Sequence, residues 1–223
     1  MVIAIDGPAG SGKSTVARAL ARRLGFTYLD SGALYRTATL LALENGTDLE
    51  DGEALGRVAS AARIDLRERD GEQVEVLADG RDVSEEIRTP RVTGASSRVA
   101  THPEVRAAML DKQRRLIDSG DFVVEGRDIG TVVAPDAAVK LFLTADPAER
   151  AKRRAAELTR RGHTAQAGEV QAAIEQRDRL DSTRSAAPLR AAKDAIEIDT
   201  TGLEVDQVVE RALELVSRAR AAS

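Results

Sequence analysis

The chain has 223 residues, enough for one large domain with a substantial core or for one domain that carries an insertion. It contains no cysteine, so disulfide frameworks, thiolate metal sites and cysteine nucleophiles are excluded. A net charge of −4 and an aromatic content of 2% argue against nucleic acid, an anionic membrane surface and base-stacking platforms as partners. The basic residues are 28 arginines and 5 lysines, and arginine suits two-point contacts with phosphates and carboxylates.

The N-terminal segment carries no recognisable targeting signal. The apolar run Val2–Ile5 reaches Asp6 with no basic segment before it, and no apolar stretch approaches the roughly 18 residues of a membrane span. We therefore expect a cytoplasmic protein. We also expect it to be a monomer.

Short apolar runs alternate with longer helical patterns along the chain. Four runs are β-branched-rich and bounded by Gly, Asp or Pro, which predicts buried strands: Val2–Ile5, Phe122–Val124, Val139–Leu143 and Ile196–Ile198. Apolar residues at helical spacing lie between and after them: Val16, Leu20 and Leu24, then Val208, Leu213 and Val216. The Ala-rich segments Arg91–Ala108 and Ala145–Ala156 are interpreted as ordinary helices. This alternation predicts an α/β fold with a mostly parallel sheet flanked by helices.

The segment Arg63–Val83 breaks that rhythm. Apolar and polar residues alternate on both sides of Asp70-Gly71, and Asp-Gly between alternating runs is a strong hairpin signal. Two strands alone are marginally stable, so a third strand or a packed helix is expected. We predict a single domain with a core of residues 1–62, 99–148 and 186–223, a small antiparallel insertion at about 63–98, and a short helical basic lid at about 149–185.

A glycine-rich segment after the first predicted strand matches the pattern G-x-x-x-x-G-K-[ST]. It comprises Gly7, Pro8, Ala9, Gly10, Ser11, Gly12, Lys13 and Ser14, followed by Thr15. Between a strand and a helix, such a loop turns its backbone N–H groups towards phosphates, and the helix dipole adds positive potential. Lys13 then reaches the β- and γ-phosphates of a nucleoside triphosphate, and the Ser14 hydroxyl is a candidate ligand for Mg²⁺.

Two other nucleotide-binding patterns fail on this sequence. The segment from Gly10 lacks the third glycine of the dinucleotide-binding fingerprint. The chain has one asparagine, Asn45, and Gly46 follows it, so the Asn-Lys-x-Asp motif by which GTPases read guanine is absent. The sequence therefore argues against a dinucleotide-binding protein and against a guanine-nucleotide switch.

Polar residues follow the predicted strand at 122–124. Glu125 at the end of a strand beside the P-loop is a candidate to organise the waters around Mg²⁺. Arg127 and Asp128 belong to the same edge, where they form either part of a binding site or a simple ion pair of the loop. No cluster of metal ligands is present, and His102 and His163 are isolated.

Three further segments carry candidate groups. Asp30 or Ser31 is positioned to cap a helix, whose N-terminus beside Arg36 also suits a phosphate. Arg177, Asp181 and Arg184 share one helical face, and a surface pair of this orientation stabilises a helix by only about 0.3–0.5 kcal/mol, so convergence on a ligand is equally reasonable. The basic segment 149–163 has two interpretations. It is either a solvated helix face, stabilised by the i, i+4 pairs Glu149–Arg153 and Glu157–Arg161, or a lid over the transferred phosphoryl group.

Taken together, five motifs resemble bacterial cytidylate kinases, a family of P-loop nucleoside monophosphate kinases. They are IDGPAGSGKST at 5–15, LDSGALYR at 29–36, SSRVATHPEVR at 96–106, EGRDIGTVV at 125–133 and QRDRLDSTRSAAPL at 176–189. DSGALYR together with GRDIGTVV separates the chain from adenylate and thymidylate kinases. The insertion at 63–98 is also similar to the enlarged monophosphate-binding subdomain of the bacterial family.

The resemblance implies Mg²⁺-dependent transfer of a phosphoryl group from ATP to CMP or dCMP. It implies that cytosine is recognised by Ser31, Ser97, Arg106 and Asp128, ribose by Arg177 and Asp181, and the monophosphate by Arg36, Arg127 and Arg184. Tyr35 joins the implied CMP-binding set, and the implied catalytic set is Lys13, Arg127, Arg184 and Arg154. Two other functions stay open from the residues alone: a P-loop kinase of another small acceptor, and an ATP-dependent regulatory switch.

Overall fold

The computed structural model describes residues 1–69, 73–160, 162 and 167–222. Contacts divide the chain into two compact units, the first formed by Met1–Thr27 with Asp121–Ser223 and the second by Tyr28–Gly120. Each unit has its own secondary structure, and the insertion predicted at 63–98 lies within the second.

Strands and helices are numbered in chain order over the whole sequence. The N-terminal part holds β1 (Val2–Asp6), α1 (Lys13–Leu24), β2 (Thr27–Asp30) and α2 (Ser31–Glu44). The middle holds α3 (Gly52–Ala61), β3 (Ile64–Arg69), β4 (Gln73–Ala78), β5 (Arg81–Asp82), a 3₁₀ turn (Glu86–Arg88), α4 (Pro90–Val99) and α5 (Pro103–Ile117). The C-terminal part holds β6 (Phe122–Gly126), a π-helical turn (Ile129–Val133), β7 (Val139–Thr144), α6 (Pro147–Arg160), α7 (Ala167–Thr183), β8 (Ile196–Asp199) and α8 (Val205–Ala222).

The predicted parallel sheet is present, with five strands in the order β2-β6-β1-β7-β8. Strand β1 lies at its centre and pairs in parallel with β6 on one side and β7 on the other. Because its apolar side chains are covered on both faces, Ile3 and Ile5 are fully buried. The prediction that Ile196–Ile198 is buried is wrong except at Ile198, because β8 is an edge strand that leaves Ile196 exposed.

The second unit contains the predicted antiparallel hairpin. Strands β3 and β4 pair from Ile64↔Ala78 to Arg69↔Gln73, and the short strand β5 supplies the expected third strand. The turn predicted at Asp70-Gly71 lies outside the described residues. The hairpin packs on a helical core that includes Leu34, Leu55, Ile87 and Met109.

The single helix interpreted over Arg91–Ala108 is instead two helices. Helix α4 ends at Val99 and α5 begins at Pro103, with His102 in an extended conformation (φ −71°, ψ 123°) between them. Proline restricts the residue before it to extended backbone and is itself favoured in the first turn, so the break follows from His102-Pro103. The predicted helix over Ala145–Ala156 is present but begins at Pro147.

Gly7 makes the closest approach of the P-loop to the sheet. Its φ is +147°, and a Cβ at this position would lie 2.0 Å from the backbone oxygen of Leu143 on β7. Only glycine fits at this point, because the Leu143 backbone belongs to β7 and cannot move aside without disturbing the pairing of β7 with β1.

We therefore expect Gly7→Ala to lower the free energy of unfolding by at least about 3 kcal/mol. Gly25→Ala is the matched control, because Gly25 also has a positive φ (+68°) but no atom lies within 4 Å of its Cβ position. That control isolates the backbone penalty, about 1 kcal/mol. Urea unfolding of both variants measures the difference, and equal losses contradict the steric argument.

None of the helices in the described portion of the chain is both long enough and apolar enough to traverse a lipid bilayer.

Candidate active site

The P-loop runs from the end of β1 into the start of α1. The side chain of Lys13, the first residue of α1, is buried, and its Nζ donates a hydrogen bond to the Pro8 carbonyl oxygen at 2.7 Å. Gly12, directly before the helix, has a left-handed conformation (φ 90°). The predicted loop therefore has the predicted strand and helix on either side, with its lysine folded back across the loop.

Lys13 lies in an unusually basic and buried environment. Burial is the main cause that lowers the pKa of Lys13 to about 7, and the neighbouring Arg127 and Arg177 lower it further, against the opposing effect of Glu125 and Asp6. A triphosphate placed beside this ammonium group would reverse the shift, because negative charge stabilises the protonated form.

ATP binding should therefore take up a proton. With a pKa of about 7 in the free protein, Lys13 is mostly neutral at pH 8, and the bound triphosphate raises that pKa, so uptake approaches roughly one proton per nucleotide. Titration calorimetry at pH 8 in buffers of different ionisation enthalpy measures this number. Lys13→Met should remove the uptake, and an unchanged number in this variant contradicts the assignment.

Ser14 and Glu125 form the part of this unit that fits a divalent cation. The Ser14 hydroxyl donates to Oε2 of Glu125 at 2.9 Å, and the Glu125 carboxylate is buried at the end of β6, the strand beside β1. A hydroxyl and a carboxylate side by side are the oxygen ligands that Mg²⁺ prefers, and the cation usually keeps several waters. Among the described residues no group of three or more His, Cys, Asp or Glu is arranged to hold a metal.

Asp6 fixes the loop that follows β6. Its two carboxylate oxygens accept the backbone N–H groups of Ile129 at 2.8 Å and Gly130 at 2.7 Å. Burial raises the pKa of Asp6 to about 6, although these two hydrogen bonds act in the opposite direction. Asp6 thereby sets the backbone immediately after Asp128, whose own side chain is buried.

Three arginines surround the buried carboxylate of Asp181. This residue lies on α7, on the helical face that the sequence predicted to contact a ligand. Arg127 Nε lies 3.0 Å from Oδ2, Arg177 Nε lies 4.0 Å from the same oxygen, and Arg184 Nη1 lies 3.6 Å from Oδ1. Arg184 follows the last residue of α7, and its Nη2 lies 3.6 Å from Oδ1 of Asp128. The predicted helical face and the loop after β6 therefore meet in one cluster.

The charges of this cluster do not cancel. Burial alone would raise the pKa of Asp181, but Arg127, Arg177 and Arg184 together hold it below its usual value, so the carboxylate stays ionised. Two carboxylates, Asp128 and Asp181, face three guanidinium groups. Such an excess of positive charge in a largely buried place suits a phosphate.

The second unit holds the other predicted residues. Asp30 caps α2 by accepting the N–H of Ala33 at 3.1 Å, as predicted for this position, and also accepts from Arg36 Nη2 at 2.6 Å. Burial would raise the pKa of Asp30, but the charge and hydrogen bond of Arg36, with a contribution from Arg88, lower it. Arg36 is thus held at the N-terminal turn of α2, next to Ser31.

Tyr35 on α2 and Arg106 on α5 are in contact in the second unit. The guanidinium carbon of Arg106 lies 5.5 Å from the centre of the Tyr35 ring, an ordinary cation–π distance. Both side chains are buried, as are Ser31 at the start of α2 and Ser97 on α4. The implied cytosine-binding residues of this unit are therefore polar groups set into a well-packed interior.

The ion pair predicted on the basic helix α6 is present, with Arg153 Nε 3.1 Å from Oε1 of Glu149. Arg153 also donates to Oγ1 and to the carbonyl of Thr200 at 2.9 and 2.8 Å, which ties α6 to the residue that follows β8. Arg154 pairs with Glu157 one turn away at 2.7 Å. The pair predicted between Glu157 and Arg161 lies outside the described residues, as does His163.

Sequence reasoning missed two carboxylates that bind backbone groups of this unit, the buried Asp6 and the partly exposed Asp178. Asp6 comes directly before the first P-loop glycine, and its place at the end of a buried strand was a signal that it has a specific partner. Asp178 lies in QRDRLDSTR beside Arg177 and accepts the backbone N–H of Ala9 at 3.1 Å. No local pattern distinguishes Asp178 from a surface residue of a helix.

The chain matches one known protein family along nearly its whole length. The family model described as cytidylate kinase matches residues 3–218. The chain belongs to the cytidylate kinase family. It is similar to a cytidylate kinase of Carboxydothermus hydrogenoformans, with 50% identity over 98% of each chain, and to one of Pelotomaculum thermopropionicum, with 48% identity over 98% of this chain and 96% of that protein. The resemblance seen in the sequence motifs is thereby confirmed.

The chain is also similar to one part of a fused protein and, in its fold, to a solved structure. A bifunctional pantoate ligase/cytidylate kinase of a Synechococcus species is 53% identical over 97% of this chain, which spans 44% of that protein. Among solved structures, an uncharacterised protein of Eubacterium ventriosum is similar with a TM-score of 0.55 at 13% identity, covering 97% of this chain and 98% of that one. This second likeness concerns the fold alone.

Proposed function

We propose that this protein transfers the terminal phosphoryl group of ATP to CMP, giving ADP and CDP, and that it acts on dCMP as well. The observation that carries the proposal is the match to cytidylate kinases at about half identity over nearly the whole chain. The P-loop and the arginine cluster of the first unit support it, because they supply a triphosphate site and an anion site in one unit.

On the donor side, the P-loop amides and Lys13 bind the phosphates of ATP. The residues that would hold Mg²⁺ are Ser14, directly, and Glu125, through water, as their hydrogen bond of 2.9 Å suggests. The cation, when bound, neutralises charge on the phosphate oxygens. Lys13 leaves the Pro8 carbonyl for the nucleotide and gains its proton as it does so.

On the acceptor side, Arg127 and Arg184 bind the monophosphate, and the family motif assigns Arg36 the same role. Arg177 and Asp181 bind the sugar hydroxyls. The excess positive charge around Asp181 favours binding of a dianion such as the monophosphate group. When no monophosphate is bound, Asp181 keeps the guanidinium groups oriented. This assignment rests on the cluster geometry for the first unit and on the family motif for Arg36.

Cytosine recognition requires both kinds of hydrogen-bonding group. The base offers an exocyclic amino donor at N4 beside the acceptors N3 and O2, so Asp128 accepts from N4 while Arg106, Ser31 and Ser97 donate. The face of the Tyr35 ring contacts the Arg106 guanidinium group and helps to hold it in place. Uracil presents a carbonyl in place of N4, which would leave the buried Asp128 carboxylate opposite an acceptor.

The chemistry needs no strong general base, because the attacking atom is an anionic phosphate oxygen. A bond forms between this oxygen and the γ-phosphorus as the bond to the β–γ bridging oxygen breaks, and the bridging oxygen leaves on ADP. Positioning in line and neutralisation of charge by Lys13, Arg127, Arg184 and Arg154 supply most of the rate enhancement. We assign Arg154 to a lid formed by residues 149–185. We assign to the insertion at 63–98 the closing movement that covers bound CMP. The enzyme acts as a monomer in the cytoplasm.

Acceptor dependence of ADP formation tests the class of function. With ATP and Mg²⁺ alone, ADP should form slowly, and CMP should raise the rate by orders of magnitude while CDP appears in equal amount. A regulatory ATPase would give the same ADP rate with and without acceptor. Equal rates would therefore contradict a kinase.

A further inference from the structure

Ala9, at the outer bend of the P-loop, is bound through both ends of its backbone by the two helices α6 and α7. Its N–H donates to Oδ1 of Asp178 on α7 at 3.1 Å, and its carbonyl accepts from Nη1 of Arg150 on α6 at 3.1 Å. Arg150 and Asp178 also form an ion pair with each other and are largely buried. The three residues make a closed ring of contacts, which we call the Ala9 clamp.

Packing reinforces the clamp. The Ala9 methyl group belongs to a small apolar cluster with Ala151, Val170 and Ile174 of the two helices. Gly10 lies against the first turn of α6, where a Cβ would be 2.7 Å from the Arg150 carbonyl oxygen. The outer part of the P-loop is thus docked on the α6–α7 pair and has no room to shift independently of it.

Asp178 shares its helix with the residues assigned to the acceptor. Arg177 directly precedes it, and Asp181, which organises Arg127 and Arg184, follows within one turn. A helix moves as a rigid element over such a short distance. Any adjustment of Ala9 when a triphosphate fills the loop is therefore transmitted to Arg177 and Asp181 through Asp178.

We propose that Asp178 is a positioning residue that couples the two substrate sites, so that a nucleoside triphosphate bound in the P-loop increases the affinity for the monophosphate acceptor. This inference rests on the proposed function of Arg177 and Asp181 in acceptor binding. Coupling of this kind is reciprocal, so bound acceptor tightens the triphosphate by the same factor.

The experiment is a linkage measurement on the intact protein. Calorimetry gives the Kd of CMP alone and with a saturating non-hydrolysable ATP analogue carrying Mg²⁺, and the ratio is the coupling factor. Three variants are compared with the native chain: Asp178→Ala, Asp178→Asn and, as the matched control, Glu210→Gln. Glu210 pairs with Arg23 at 2.9 Å in the same unit but is exposed and remote from the P-loop.

We expect a coupling factor above one in the native chain and near one in Asp178→Ala. Asp178→Asn, which keeps an oxygen for the Ala9 N–H but loses the ion pair, should give an intermediate factor, and Glu210→Gln the native factor. The analogue should also bind Asp178→Ala roughly tenfold more weakly, because the P-loop loses a hydrogen bond to a charged group that holds the Ala9 backbone in place. Hydrogen exchange at the Ala9 amide should become faster in both Asp178 variants. General destabilisation of the unit would instead speed exchange at many amides, so a change centred on Ala9 identifies the local role.

The outcomes separate the two ideas. Native coupling in folded Asp178→Ala, or in Asp178→Asn if the alanine variant does not fold, overturns the role of Asp178 while leaving CMP binding and the proposed function intact. A native chain that binds both ligands with a factor of one also overturns it. Failure of the native chain to bind CMP at all overturns the proposed function, and the coupling proposal with it.

Discussion

Replacing Lys13 with methionine is expected to lower kcat by about a thousandfold or more while leaving the protein at least as stable as the native chain. Lys13 is buried, and burial together with Arg127 lowers its pKa to about 7. The protonated ammonium form is therefore destabilised in the folded protein without ligand. Methionine has similar length and needs no hydration. The folded state therefore loses little, whereas the transition state loses a positive charge next to the transferred phosphoryl group.

Steady-state kinetics with ATP and CMP, together with urea unfolding of the same preparation, measure both quantities. The sign for stability follows from the pKa of Lys13: a lowered value means that folding favours the neutral form, so removing the amine cannot cost a favourable charge interaction above pH 7. Activity within tenfold of the native rate would contradict the placement of Lys13 at the phosphates.

Asp128→Asn is expected to have the second largest effect, confined to the acceptor. The kcat/KM for CMP should fall by about a hundredfold or more, because an amide in place of the carboxylate loses a charged acceptor for the cytosine amino group. The KM for ATP should change little, since the P-loop contacts are untouched. Asp128 also lies 3.6 Å from Arg184, so part of the loss should appear as weaker binding of the monophosphate.

The same variant should relax the choice between pyrimidines. An asparagine amide can rotate its NH₂ group towards the O4 carbonyl of uracil, which a carboxylate cannot do. The ratio of kcat/KM for CMP to that for UMP should therefore fall in Asp128→Asn. An unchanged ratio, or an equal loss towards ATP and CMP, would remove Asp128 from base recognition.

Local patterns in the sequence were sufficient to predict the features that depend on residues close together in the chain. The strand-loop-helix context of Lys13, the cap at Asp30 and the strands around 64–78 each follow from residues within a few positions of one another. The face shared by Arg177 and Asp181 is equally local, because it depends only on helical spacing. Position in the sheet is not local, so the exposure of Ile196 on the edge strand was missed.

The contacts that hold the site together join residues far apart in the chain, and local sequence patterns do not predict them. Asp6 binds the backbone at Ile129 and Gly130, more than a hundred residues away, and Asp178 binds Ala9 across a similar separation. Neither carboxylate has a spacing rule relative to its partner. Their partners are backbone groups, which every residue has, so the sequence contains no complementary residue type that would mark them.

The most direct test of the central claim is the acceptor specificity of the purified protein. Initial rates of ADP formation are measured with ATP, Mg²⁺ and a series of acceptors: CMP, dCMP, UMP, AMP and shikimate. The account predicts the highest kcat/KM for CMP or dCMP, with UMP well below both and no acceptor-dependent rate with AMP or shikimate. A preference for UMP, for AMP or for the hydroxy acid would contradict it.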